Sequence, residues 1–180
     1  MVALAKKKPS VVPYVLVAPA DVLAERVRQG ALAFALVMHV KRGPGLGVRA
    51  LPPLRHQLVV ARGLERDRRV LARFIGSREV EDPGNRQFPT LARLRTLVPE
   101  AHIAASSNSL TTHKALVLAG HGVAVLPELL VRAELDAGQL VPVLPEVGPF
   151  PPLLVSRTAT VWTEPARAFL TEVEHALAEG

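Results

Sequence analysis

The stretch His102-Ile-Ala-Ala-Ser-Ser-Asn-Ser-Leu-Thr-Thr-His-Lys-Ala-Leu-Val-Leu-Ala-Gly-His-Gly-Val-Ala-Val-Leu-Pro-Glu128 decides how this chain is built. Apolar residues from Ile103 to Ala105 give way to the polar cluster Ser106-Ser107-Asn108-Ser109, and an apolar-rich segment follows to Gly120. That order predicts a strand, a cap and a helix over Leu110 to Ala119, because serine and asparagine oxygens accept the backbone N–H groups that a helix start leaves unbonded. Gly120 ends the helix, since glycine enters the left-handed conformation without a Cβ penalty. Val123 to Leu126, an apolar run bounded by Gly122 and Pro127, predicts a buried strand. Pro127 opens a further helix at its first turn, where the missing N–H costs nothing.

Outward from that stretch, the same alternation of β-branched runs and amphipathic segments continues in both directions, which is the pattern of βαβ units and a largely parallel sheet. Downstream, Gly138 closes the second helix before a strand at Leu140 to Leu144. Proline-rich residues Pro145 to Pro152 lead to a strand at Leu153 to Ser156 and a final helix at Glu164 to Ala178. Upstream, a helix at Phe88 to Val98 follows the polar loop Ser77 to Gln87, in which Asp82-Pro83-Gly84-Asn85 suits a type II turn. Before it lie a short strand at Phe74 to Gly76, a helix near Leu64 to Arg73 and an extended segment through Arg49 to Leu51 and Gln57 to Ala61. The beginning of the chain reads as a short helix stopping before Pro9, a strand at Val12 to Ala18, a helix at Asp21 to Gln29 closed by Gly30, and a strand at Leu32 to Val40. A turn-rich loop, Lys41 to Gly47, comes next.

With 180 residues and 49% hydrophobic content, the chain has apolar material for one domain or two small lobes. No run approaches the ~18 apolar residues that cross a bilayer, and the basic opening is not followed by an apolar core, so a cytoplasmic, soluble protein is expected. The absence of cysteine removes disulfides, thiolate metal sites and cysteine nucleophiles. The net charge of +6 is compatible with polyanion binding. Its basic residues are interleaved with apolar ones at helical spacing, however, as on solvated helix faces.

Catalytic readings find little support. Gly43-Pro44-Gly45-Leu46-Gly47 follows a strand but precedes an extended segment, whereas a phosphate-binding loop must open a helix. None of the six histidines pairs with another at i, i+4, so no metal site is expected, and no Gly-x-Ser-x-Gly elbow is present. No catalytic residue and no cofactor is assigned. Trp162 and Phe169 read as packing residues, because aromatic content of 4% is too low for a stacking platform. For Ser106, Ser107 and Ser109, helix capping is the first reading. The same turn can also hold a carboxylate or phosphate at the positive end of the helix dipole, with Arg78 and Arg86 as possible bidentate partners.

The segment from Ser107 to Pro127, with the specific run Val117-x-Ala-Gly-x-Gly-Val-Ala-Val-Leu-Pro127, resembles the effector-binding domain of LysR-type transcriptional regulators. The likeness continues through Leu135 to Pro145 and upstream through Pro13 to Val37, so that essentially the whole chain is covered. It implies an α/β fold of two Rossmann-like lobes with the periplasmic-binding-protein type II architecture, lobe I being residues 1–56 with 157–180 and lobe II residues 57–156. It also implies a small-molecule effector, a carboxylate or other anion, held between the lobes by Ser107, Asn108 and Ser109, by the loop at Arg86 and Gln87, and by His39. Such regulators work as homodimers or higher oligomers and reach DNA only through a helix-turn-helix module. That module is missing from this chain.

Two further departures stand out. Ala33 occupies a position where the family usually carries an acidic residue. The first strand of the first lobe, central in that sheet, is also missing, so lobe I is expected to be incomplete. Its neighbours at Val12 to Ala18 and Leu32 to Val40 then pair differently, receive another chain, or belong to a product that begins upstream; a spacing near 10 Å between them marks a gap, and one near 4.8 Å refutes it. The competing reading is a stand-alone or truncated small-molecule-binding domain with no regulatory output. An enzyme is the least favoured.

Overall fold

The computed structural model describes residues 12–41, 43–78, 80–81, 88–144, 147–159 and 161–178. The elements in chain order are α1 (Ala20–Arg28), β1 (Ala35–Val37), β2 (Leu46–Ala50), β3 (His56–Ala61), α2 (Arg68–Leu71), β4 (Arg73–Gly76), α3 (Phe88–Leu97), β5 (His102–Ser106), α4 (Leu110–Leu118), β6 (Val123–Pro127), α5 (Glu128–Asp136), β7 (Leu140–Pro142), β8 (Leu153–Arg157) and α6 (Glu164–Ala178). They form two compact units. One runs to Pro53 and resumes at Pro151; the other spans Leu54–Phe150.

The second unit is a five-stranded sheet in the order β5-β4-β6-β3-β7. β4 runs parallel to β5 and β6, while β3 is antiparallel to β6 and β7. Successive residues of a strand point to opposite faces, and here both faces are covered. Leu58, Val60 and Phe74 pack on one side with Leu91 and Leu94 of α3. Val59, Ile75 and Leu126 pack on the other with Val117 of α4 and Val131 of α5. This two-sided burial is why β6 is apolar at every position, all five of its residues being buried.

In the first unit β8 is the middle strand, antiparallel to both β1 and β2. Leu23, Ala24 and Val27 of α1 pack on Ala35, Val37 and Val155. Phe34 touches both Trp162 and Phe169, with ring centroids 5.7 Å apart in each pair, so these two aromatics do serve packing.

Several sequence expectations change. The sheets are not largely parallel: every pairing in the first unit is antiparallel, because its partner strand β8 returns with the opposite direction. Val12 to Ala18 forms no strand, and Val12 and Val17 are 90% and 83% exposed. A β-branched run becomes a strand only where a partner supplies the ladder, and none of the described residues does so. The spacing test between that segment and the strand at Leu32 to Val40 therefore does not arise, and the latter shrinks to β1. The helix drawn over Leu64 to Arg73 is one turn, α2, because Asp67 accepts the N–H groups of Arg69 and Val70 and starts it late. The helix before Pro9 and the turn at Asp82 to Asn85 lie outside the described residues.

Candidate functional site

The site is built where parallel strands β4 and β5 end. Gly76 and Ser106 are partners in the last rung of that ladder, and one bond more, from Ser107 N–H to the Gly76 carbonyl (3.0 Å), carries the pairing past the strand. Carboxyl ends of parallel strands are where α/β sheets receive ligands, since the following helices start there.

Ser109 is the N-cap of α4, with extended backbone (φ −103°, ψ 112°) and its hydroxyl oxygen accepting from Thr112 N–H at 3.3 Å. The Ser109 carbonyl takes the His113 N–H at 3.1 Å. Ser107 Oγ accepts the Ser109 N–H at 3.1 Å. These bonds use up some donors of the turn and leave others. Among the described residues, the N–H groups of Asn108, Leu110 and Thr111 have no partner. The expected capping role is therefore real for Ser109, yet it satisfies only Thr112.

Electrostatically the turn favours a negative group. The free N–H groups carry the positive end of the helix dipole, and no acidic residue stands in the first turn of α4, whereas α1, α5 and α6 place Asp21, Glu128 and Glu164 there. The lysine of α4 is engaged with the next helix and ties α4 to α5, because Lys114 Nζ donates to the Leu130 carbonyl (3.2 Å) and to Glu134 (2.6 Å). That ammonium holds the Glu134 carboxyl below its ordinary range.

Beneath the turn lies a residue that sequence reasoning passed over. His113 is only 1% exposed, and its Nε2 sits 2.8 Å from the Ser107 carbonyl oxygen. Burial lowers its pKa, with the Ser107 and Gly76 carbonyls pulling the other way. The one signal available beforehand was a histidine at a helical position otherwise suited to an aliphatic side chain.

Of the residues singled out from the sequence, the structure brings Ser107, Asn108 and Ser109 together, half-buried, exposed and half-buried in turn. Arg78 is exposed in the turn just after β4. His39 is exposed in the other unit, beyond β1. Arg86 and Gln87 lie outside the described residues. Two surface grooves of the second unit, of about 370 and 340 Å³, are lined by other residues, among them Arg62 and Arg132 in the first and Thr90 and Arg93 in the second.

The fold matches known proteins. The regulatory domain of CrgA, a LysR-type transcriptional regulator from Neisseria meningitidis, superposes with a TM-score of 0.72 at 16% identity, covering 98% of this chain and 89% of that one. The regulatory domain of an M206Q mutant of HypT from Salmonella typhimurium gives 0.65 at 21% identity, covering 99% and 91%. A PA01 protein described as a LysR family transcriptional regulator, from Pseudomonas aeruginosa, gives 0.68 at 17% identity over 98% of this chain. This chain spans 63% of that regulator's length. No curated protein matches by sequence. The LysR substrate binding domain model matches residues 1–178, and the chain belongs to that family of non-enzymatic, effector-sensing domains.

Proposed function

We propose that this chain is the sensing part of a LysR-type transcriptional regulator whose effector is a small organic anion, bound between two lobes with its negative group at the start of α4. The observation that carries the reading is the set of three N–H groups without a partner among the described residues, on Asn108, Leu110 and Thr111, at the carboxyl end of β5 with no carboxylate in the first helical turn. The hydroxyls of Ser107 and Ser109 accept backbone N–H groups and retain their own hydrogens for an oxygen of the ligand. Arg86, Gln87 and His39 complete the proposed ligand set, and a guanidinium in it would give the anion a charge-assisted bond. Regulation follows if the anion binds one arrangement of the lobes better than another, since only that difference shifts a conformational equilibrium. In the whole regulator the lobes would act within a homodimer or higher oligomer, whose DNA contacts come from a helix-turn-helix module.

The test is a thermal-shift screen of aromatic and aliphatic carboxylates. A compound that binds only the folded chain, present at ~100 times its dissociation constant, stabilises it by about 2.7 kcal/mol. A hit that protects the native chain, and protects Arg86→Ala less, supports the reading. A panel that leaves the melting temperature of both unchanged overturns it.

A further inference from the structure

The His113 imidazole is bonded to the peptide that joins Ser107 to Asn108, and the geometry of that bond has a direction. A carbonyl oxygen can only accept, so at 2.8 Å from the Ser107 oxygen the Nε2 of His113 must carry the hydrogen. The neutral ring is then the Nε2–H tautomer, and its Nδ1 is a lone pair, buried without a partner among the described residues. Side-chain packing alone does not explain such a ring, because an aliphatic residue would fill the same space in α4 without burying an unsatisfied nitrogen.

A trans peptide is planar, with its C=O and N–H pointing in opposite directions. The Ser107 C=O points at a side chain that is 1% exposed, so the Asn108 N–H of the same peptide points away from it. Consistently, Asn108 is exposed, and its N–H finds no partner among the described residues. On the other side of Ser107, the bond from its N–H to the Gly76 carbonyl prevents the residue from rolling over. Held at both ends, the Ser107–Asn108 peptide has one orientation.

We propose that His113 is a positioning residue for the anion site: its Nε2–H fixes the Ser107 carbonyl inward and thereby presents the Asn108 N–H outward as a ligand donor. This rests on the reading of the α4 start as the place where the effector's negative group binds. It adds a specific consequence, that a side chain which never meets the effector sets the strength of one of its hydrogen bonds.

The experiment uses the full chain labelled with nitrogen-15. Long-range proton–nitrogen correlation is expected to show His113 at neutral pH with a protonated Nε2 and an unprotonated Nδ1. In His113→Leu the Asn108 amide resonance should move and exchange its hydrogen at a different rate, while the amides of β1 and β8, in the other unit, keep their positions. Titration with benzoate, and separately with succinate, follows the amides of Asn108, Leu110 and Thr111; for whichever carboxylate moves them in the native chain, His113→Leu should bind about tenfold more weakly, the lower end of what one charge-assisted bond contributes, because the Asn108 N–H is misdirected and not removed. His113→Gln, whose amide N–H reaches the same carbonyl, should recover part of the loss and serves in its place if the leucine variant does not fold. A protonated Nδ1 in the native chain, or an Asn108 amide indifferent to both substitutions, overturns the proposal. If neither carboxylate moves any of the three amides, the anion reading fails on its own, and the tautomer and the Asn108 shift still decide the role of His113.

Discussion

Proline at position 110 isolates one donor of the proposed site. Leu110 is the first residue of α4, where proline fits the helix and removes an N–H that has no partner within it. The preceding residue must be extended to avoid the proline ring, and Ser109 already is, at φ −103° and ψ 112°. Leu110 is 37% exposed, so its side chain contributes modestly to the core. Leu110→Pro should therefore fold as the native chain does, with the cap from Ser109 to Thr112 intact. Its effect on binding should be large by comparison. A hydrogen bond to a charged group is worth about 1.5–3 kcal/mol, which at about 1.4 kcal/mol per factor of ten raises the dissociation constant roughly ten- to a hundredfold. Isothermal titration with the strongest carboxylate from the screen measures it, with Leu110→Ala as the control that loses the side chain and keeps the donor. Equal affinity for the proline variant and the native chain would refute the assignment of the Leu110 N–H to the ligand.

Other outcomes follow from neighbouring contacts. Ser109→Ala removes the oxygen that caps Thr112 and should cost about 1 kcal/mol in urea unfolding; an unchanged midpoint would show that the cap contributes nothing. Burial holds the His113 pKa below its ordinary 6.5, so between the two values the unfolded chain binds more protons than the folded one. Stability should therefore decline as pH falls from about 6.5 toward the lowered pKa, and His113→Leu should decline less over that interval when both are melted across it. At Gly122 an added Cβ would overlap the carbonyl oxygen of Arg73, so Gly122→Ala should lose about 1–3 kcal/mol, read as a lower denaturant midpoint; equal midpoints would mean that β4 and the turn before β6 yield freely.

The stretch from β5 to β6 was legible because each boundary is marked by a residue with one chemical use. Ser109 caps, Gly120 turns left-handed at φ +77°, and Pro127 stands immediately before α5. Val12 to Ala18 carried equally strong strand propensity and is not a strand, since propensity records what a residue tolerates and pairing depends on a neighbour elsewhere in the chain. Strand direction was illegible for the same reason: β8 is antiparallel to β1 and β2 because of the route the chain takes before it. In the candidate site, the polar turn from Ser106 to Ser109 was legible from its place before a helix, and the family resemblance narrowed it to Ser107, Asn108 and Ser109. His113 could not, because only its burial and its 2.8 Å bond separate it from any other histidine in a helix.

The two units differ in how they use the chain. The second is continuous from Leu54 to Phe150, whereas the first joins residues before Pro53 to residues after Pro151. Because β8 is the central strand of its sheet, β1 and β2 leave the ribosome well before the strand between them exists. Biosynthesis accordingly imposes an order: the continuous unit can finish while α1, β1 and β2 wait, and the waiting segment is the one a nascent-chain chaperone would meet.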